Sequence, residues 1–521
     1  MSNRQLAKNI GSMSIAVFIS RILGLLRDIV MTGFFGTSYV ADAFQVAFQI
    51  PNLLRKLFGE GALSAAFIPV YKEVGLTRSR QQQIGFAINV LSILSLFLLF
   101  LCSIGMLITP LLVRLLAPGF DAQSYLLTVK LTRILFPYLF LIGLSSTLIA
   151  ILNSHDYFFL PGLSSAFLNI AMIGSLAIYQ LVWGPGGMEE SIVAWAVGAV
   201  VGGVLQTVVN FPLLKRIGYH FRLSFSLAGE SLHAVWMRFL PGVVGLAIRQ
   251  INLAVDLILA SLLVSGSIAS LNYGNRLMQL PLGILGVSAG VAVLPLFSHY
   301  VASKDWDRLA ESLHFSLLSV SFFMIPATAM IIGMGKDIIR LLFMRGAFDQ
   351  TSLNMTYSAL VCYSVGLVFY SINRILIPLF YANKDTSTPV KISAFIVVLN
   401  IALNLVFMQF LGHAGLALAT SISAIAQYLI LRWVIAKKMP HITIVSLMRP
   451  VTKIFGISVV ILISQTALNE YIQTSNIYGL IIKLTGSGGL AIALLLAGAR
   501  ILNIENSKEI TDKLWQKIRR K

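Results

Sequence analysis

The chain has 521 residues, of which 57% are hydrophobic and 11% charged, and its mean hydropathy is +0.85. A soluble domain has about a quarter of its residues charged, so a soluble enzyme is excluded and an all-α polytopic membrane protein is expected. The net charge of +19 is scattered through apolar spans and end-loops, with no interleaved aromatic surface, which excludes nucleic acid as the partner.

Taken in order, apolar runs of spanning length predict about fourteen transmembrane helices, at 10–35, 41–72, 84–116, 125–152, 161–183, 191–214, 236–265, 268–301, 312–344, 352–381, 387–411, 413–436, 446–469 and 477–502. The first run is too long for a cleavable signal peptide and contains Arg21, so it reads as a retained span. Within it, Arg21 and Asp28 lie two turns apart on one face, and Arg27 sits about 100° to the side of Asp28.

The second run carries Asp42, Arg55, Lys56 and Glu60 well inside its ends, Lys56 and Glu60 one turn apart. A charge near a bilayer centre costs roughly 2.5–3.5 kcal/mol on insertion scales. These side chains therefore turn to water or to partners rather than to lipid. Asp256 is the only carboxylate of the seventh span, which also holds Arg249. The eighth contributes Asn275, Arg276 and Gln279 just before Pro281, and the tenth Arg374. Lys391 opens the eleventh, Asn400 and Asn404 share one of its faces, and Thr420 lies inside the twelfth. Pro51, Pro69, Pro137, Pro281, Pro295, Pro326 and Pro378 fall within spans and are expected to bend or break them.

Loop charge sets the orientation. Lys72, Arg78 and Arg80, then Lys215, Arg216 and Arg222, then Lys437, Lys438 and Arg449 crowd one side with the termini, so both termini are expected in the cytoplasm. The sequence also repeats itself. VRLLAPGFDAQS from Val113 returns as IRLLFMRGAFDQTS from Ile339, and Gln49-Ile-Pro51 returns as Gln279-Leu-Pro281. Repeats in one order predict two pseudo-symmetric six-helix lobes, 1–220 and 221–440, related by an axis along the membrane normal. Two extra helices follow at 441–505, then a basic tail at 506–521.

No Walker loop, HExxH, GxSxG or Cys/His metal spacing is present. The two cysteines, Cys102 and Cys362, imply neither a disulfide framework nor a metal site. What stands out is a surplus of basic over acidic groups in the spans. Such a surplus predicts an anionic guest, and the planar fork of arginine suits a phosphate or diphosphate; for any single arginine, a helix-to-helix contact is the competing reading. Asp256, Asn400, Asn404 and Thr420 form a hard-oxygen set able to hold a small cation, and interhelical hydrogen bonding explains them equally well.

Five stretches carry a closer likeness: SRILGLLRD (20–28), ADAFQVAFQIPNLLRKLFGEGALSAAFIPVY (41–71), LAPGF (116–120), YGNRLMQLPLGILGVS (273–288) and TPVKI (388–392). With them the whole chain resembles the MurJ/MviN family, bacterial lipid II flippases of the multidrug/oligosaccharidyl-lipid/polysaccharide exporter superfamily. The resemblance implies a multi-pass transporter of the bacterial inner membrane, not an enzyme. It would flip lipid II, the undecaprenyl-diphosphate-linked disaccharide-peptide, by alternating access through a cationic central cavity, with the lipid tail in a groove beside the last two helices.

It further implies that Arg27, Asp28 and Arg276 match the family's diphosphate-binding group, and that Arg21 and Arg55 are further cavity arginines. Asp42, Lys56, Glu60, Asn275, Gln279, Arg374 and Lys391 become cavity or gating positions. Asp256, Asn400, Asn404 and Thr420 match a sodium site described for some members, of which some have Asp where this chain has Asn404. Sodium or the membrane potential is the implied energy source, and no other cofactor. Membrane lipids and cell-wall synthesis proteins are the other implied partners. The nearest alternative is an exporter of another lipid-linked oligosaccharide, or of drugs, in the same superfamily.

Overall fold

Helix starts are written into the sequence as capping residues. The repeated Phe-Asp pairs place Asp121 and Asp349 immediately before helices, where each carboxylate accepts the backbone N–H three residues on, from Ser124 at 3.0 Å and from Ser352 at 2.8 Å. Ser79 and Gln82 form a reciprocal capping box at another start. Ser38, Asp305 and Asn476 cap three more.

A computed structural model describes residues 3–56, 62–220, 222–226, 230–440, 442, 447–472, 474 and 476–504. All regular structure among them is helical. In order the helices are α1 (Asn3–Phe35), α2 (Tyr39–Arg55), α3 (Ala62–Thr77), α4 (Arg80–Leu107), α5 (Thr109–Leu116), α6 (Ala122–Ser154), α7 (Phe159–Trp183), α8 (Met188–Val208), α9 (Phe211–Arg216), α10 (Glu230–Ser261), α11 (Ser267–Pro281), α12 (Val287–Ser303), α13 (Trp306–Phe343), α14 (Gln350–Val365), α15 (Leu367–Ala382), α16 (Ser387–Leu411), α17 (His413–Lys438), α18 (Met448–Tyr471) and α19 (Ile477–Ile501).

Ten of the described helices are long and apolar enough to cross a membrane, eleven if α14 and α15, bent by 42°, form one span. The polytopic membrane fold therefore holds, but the expected spans are not matched one for one. The second, expected at 41–72, is two short helices, α2 and α3, with 57–61 outside the described residues. The third, expected at 84–116, divides before Pro110, which opens α5 where a missing N–H costs nothing. The eighth, expected at 268–301, carries a π-helical turn, Leu282–Gly286, directly after Pro281. The ring of Pro281 removes one ladder bond, and the wider turn takes up the mismatch. The flagged prolines otherwise sit inside helices rather than at their ends. Spanning helices tolerate them because the freed carbonyls find local partners.

Contacts divide the chain into two units. The first comprises residues 1–269 with 345–348. In it α7 packs against α8, α2 and α8 against α6, α1 against α7, and α10 against α3. The α7–α8 approach runs through small residues: a Cβ at Gly198 or Gly202 would lie 2.8 Å from the Cα of Met172 or Leu168, the close packing that glycine permits between membrane helices. Two apolar clusters centre on Phe67, Leu91 and Ile151, and on Leu98, Leu139 and Phe239.

The second unit comprises 270–344 with 349–521. There α16 packs on α17, α12 on α15, α14 on α17, and both α18 and α19 on α13. Leu318, Phe322, Ile454, Ile461, Ala491 and Leu495 form the core of that last contact.

Candidate functional site

In the first unit, α1 is held beside α7 by a hydrogen bond between the Ser20 and Ser165 hydroxyls at 2.7 Å. This fixes the helix that bears the arginines. Arg21 is exposed. Arg27 donates Nε–H at 3.1 Å and an Nη2–H at 2.7 Å to one oxygen of its neighbour Asp28, and the two side chains are 21% and 12% exposed. Two of the five guanidinium N–H donors thus orient Arg27. Arg55 and Lys56, at the end of α2, are half-buried. Glu60, the side chain of Arg249 and the tail at 506–521 lie outside the described residues.

Asp42 is almost wholly buried, at 2% exposure. Its two oxygens accept the backbone N–H groups of Gly266 at 2.6 Å and Ala269 at 2.7 Å. A carboxylate from α2 therefore caps the first turn of α11, a position normally filled by the residue just before the helix. Beside it lies a cavity of about 340 Å³ bordered by Tyr39, Asp42, Asp121, Gln123, Ser124 and Ser261. Two of its lining residues, Tyr39 and Gln123, donate to Glu189, at 2.8 and 2.9 Å.

Both repeat-related loops pack on helix ends of this unit. Gly119 of the first approaches the end of α10 so closely that a Cβ there would lie 2.3 Å from the Ser261 carbonyl oxygen. Ala347 of the second donates its N–H to the Gly33 carbonyl at the end of α1, at 2.8 Å. Gly36, with φ of +54°, could not carry a Cβ, which would lie 2.4 Å from the Ala347 oxygen.

In the second unit, Arg276, Gln279, Arg374 and Lys391 are exposed and Asn275 is half-buried. Gln279 donates its amide to the Asn275 oxygen. Asn400 and Asn404 are buried; Asn404 donates to Asn400 at 3.2 Å, and Asn400 to the Ser423 hydroxyl at 3.2 Å. Thr420 donates to the Leu416 carbonyl of its own helix at 3.0 Å. In the first unit Asp256 accepts the amide of Asn252 at 3.2 Å. The described residues contain no group of three or more His, Cys, Asp or Glu side chains placed to hold a metal ion.

The sequence reading missed a buried ion pair. Lys483 of α19 meets Asp337 of α13 at 2.7 Å, the side chains 6% and 8% exposed, with Arg340 at 3.4 Å from the other Asp337 oxygen. Nearby Asn469 donates to the Gly333 carbonyl at 2.7 Å, and Gln465 to the Ser487 carbonyl at 2.8 Å. The available signal is Asp337, the only acid in the expected ninth span, and Lys483, a base well inside the expected fourteenth.

The model of the family "MurJ: Lipid II flippase MurJ" matches residues 31–485. A probable lipid II flippase MurJ from Buchnera aphidicola subsp. Baizongia pistaciae is 32% identical over 507 residues, 95% of this chain and 97% of that one. The lipid II flippase MurJ of Burkholderia cenocepacia is 32% identical over 419 residues, covering 79% and 80%. Among solved structures, lipid II flippase MurJ in an inward closed conformation superposes with a TM-score of 0.77 at 29% identity, covering 94% of this chain and 99% of that one. An inward-facing MATE family multidrug resistance transporter of the MOP superfamily matches with a TM-score of 0.67 at 17% identity, covering 83% and 99%, a likeness of fold alone.

Proposed function

The chain belongs to the lipid II flippase MurJ family, and from that membership we infer that this multi-pass membrane protein is a transporter that flips lipid II by alternating access. The observation that carries the reading is kinship along nearly the whole chain, joined to guanidinium groups on α1, α2 and α11 of a strongly apolar protein.

Arg21, Arg27, Arg55 and Arg276 take the diphosphate, because a guanidinium can give two parallel hydrogen bonds to a phosphate. Asp28 aims Arg27. Lys56, Arg374 and Lys391 extend the basic surface that draws the headgroup in, and Asn275 and Gln279 line it. Asp42 closes one end of the path by capping the start of α11, and Glu60 belongs to the same gating set. The tail stays in lipid beside α18 and α19. The lobes at 1–220 and 221–440 rock to expose the head, and no bond is broken. The location is the bacterial inner membrane, both termini in the cytoplasm, within reach of the cell-wall synthesis proteins that consume the lipid.

The membrane potential supplies the drive. One charge moved through 100 mV is worth about 2.3 kcal/mol, so a diphosphate bearing about two negative charges gains roughly 4–5 kcal/mol on leaving a negative interior. The alternative drive is sodium. Asn400 and Asn404 offer neutral amide oxygens, a chemistry that suits a hard cation, and Asp256 would supply the charge. A requirement for a sodium gradient at constant potential would favour that route.

The test is the exposure of lipid II to an impermeant probe at the outer face of cells. Depletion of the protein is expected to abolish exposure, and Arg27→Ala or Arg276→Ala is expected to fail to restore it while remaining folded in the membrane. Full restoration by both variants would reject the diphosphate role.

A further inference from the structure

Five polar residues of α2, Asp42, Gln45, Gln49, Asn52 and Lys56, succeed one another at steps of three, four, three and four. At about 100° per residue those steps draw one stripe along the helix. Ala43, Ala47 and Ile50, buried to 2% exposure or less, lie about 200° away, on the side opposite the stripe. Beyond Asp42, every member of the stripe is half-buried rather than enclosed. An amide turned toward hydrocarbon has nothing to bond, at a cost of several kcal/mol. The stripe therefore borders water or a polar ligand.

Two further observations say what kind of ligand. The Oδ1 atom of Asn52 is buried with no hydrogen-bond partner among the described residues. The repeat-related helix α11 also carries the pattern: aligning Gln49-Ile-Pro51 with Gln279-Leu-Pro281 sets Asn272, Asn275 and Gln279 against Asp42, Gln45 and Gln49. What the duplication keeps is amides at these three positions; Asn52 and Lys56 fall against Leu282 and Gly286, so the full-length stripe belongs to α2. The acid is not kept.

We propose that Gln45, Gln49 and Asn52 form a hydrogen-bonding ladder for the saccharide of the lipid-linked substrate, separate from the arginines that take its diphosphate. The proposal rests on the flippase reading above and extends it to the neutral part of the headgroup. A primary amide both donates and accepts, as do the hydroxyl and acetamido groups of an amino sugar, whereas guanidinium only donates. From Gln45 to Asn52 the stripe climbs about 10 Å, on the scale of a disaccharide. A site built to bond such groups discriminates against a ligand that lacks them.

The experiment compares two lipids, lipid II and undecaprenyl diphosphate, binding to the full-length protein in lipid nanodiscs. The variants are Gln45→Leu with Gln49→Leu, which removes both amides at similar volume, and Gln45→Asn with Gln49→Asn, which keeps them. The leucine pair is expected to weaken lipid II by about tenfold, the worth of two neutral hydrogen bonds, and to leave undecaprenyl diphosphate unchanged. The asparagine pair should recover part of that loss. Retained binding of the sugar-free lipid serves as the folding control. Equal weakening of both lipids by the leucine pair would make the amides structural and overturn the ladder, as would no weakening of either. A wild-type protein that binds neither lipid would instead overturn the flippase reading and the ladder with it.

Discussion

Replacing Asp42 with alanine tests the cap on α11 directly. The carboxylate is 2% exposed and accepts two backbone N–H groups, at 2.6 and 2.7 Å. A hydrogen bond to a charged group is worth about 1.5–3 kcal/mol; allowing for non-additivity, removal of both should cost about 3–5 kcal/mol. At 1.4 kcal/mol per factor of ten, even the lower figure raises local opening by about a hundredfold. Ser267, fully buried between the two bonded amides, is the reporter site. In a protein whose Cys102 and Cys362 are replaced by serine, a Ser267→Cys thiol should react slowly with a membrane-impermeant maleimide. Adding Asp42→Ala should speed that reaction by about a hundredfold or more, since labelling tracks the open population. Asp42→Asn, which keeps one acceptor oxygen, should fall between. A cysteine at Ser371, fully buried in the second unit, should not respond. Labelling at 267 within twofold of the parent, or equal acceleration at 371, would refute the reasoning.

Three other perturbations have expected outcomes. Asp337→Asn should lower the thermal midpoint in detergent by several degrees, because it strands buried Lys483, and breaking such a pair costs about 3–5 kcal/mol; Asp337→Leu with Lys483→Met should recover most of that loss, and no recovery would mean the pair is not the source. Gly36→Ala forces a side chain into a left-handed conformation against the Ala347 oxygen and should cost at least 1–2 kcal/mol, whereas Gly174→Ala, inside α7 with nothing within 4 Å, should be neutral or mildly stabilising in the same melt. Asp385, in the loop before α16, is held below the ordinary carboxylate range first by the Thr388 hydroxyl, then by the Thr388 backbone N–H and by Lys438. Its contribution is therefore complete above about pH 4, its unfolded range, and is lost as pH falls through the lowered folded value. A melt of the wild type should show that acid loss, and Asp385→Asn should remove it.

The charged residues were legible because a membrane makes them expensive: Arg27, Asp42, Arg55 and Arg276 could be singled out from composition and spacing alone. Their partners were less legible. That Arg27 and Asp28 bond side by side follows only weakly from adjacency, since neighbours on a helix point about 100° apart. That Asp42 caps a helix more than 200 residues away in sequence has no local sign at all, because tertiary packing brings those amides to it. Breaks in the spans were only partly legible, for a related reason. Proline is the marker that a sequence offers, yet Pro51 and Pro137 lie within unbroken helices, and one sharp bend falls at Gly366. A Cβ there would lie 2.8 Å from the Cα of Ser421, so the packing of α17 requires glycine and fixes the bend.

On the diphosphate role proposed for Arg27, its pair with Asp28 bears on how the lipid is let go. A carrier whose arginines bound diphosphate at full strength would trap it, so affinity has to be moderated where the cargo is held. Asp28 occupies Nε–H and one Nη2–H of Arg27 and partly neutralises its charge, while three N–H donors remain for a phosphate oxygen. The pairing also removes rotamer freedom from Arg27 before the lipid arrives, which lowers the entropy lost on binding. Orientation is gained and Coulomb attraction reduced by the same contact. Asp28→Asn would separate the two effects: the guanidinium would face a neutral, weaker acceptor with its charge unopposed. If moderation dominates, this variant binds lipid II more tightly and flips it more slowly; if aiming dominates, binding and flipping fall together.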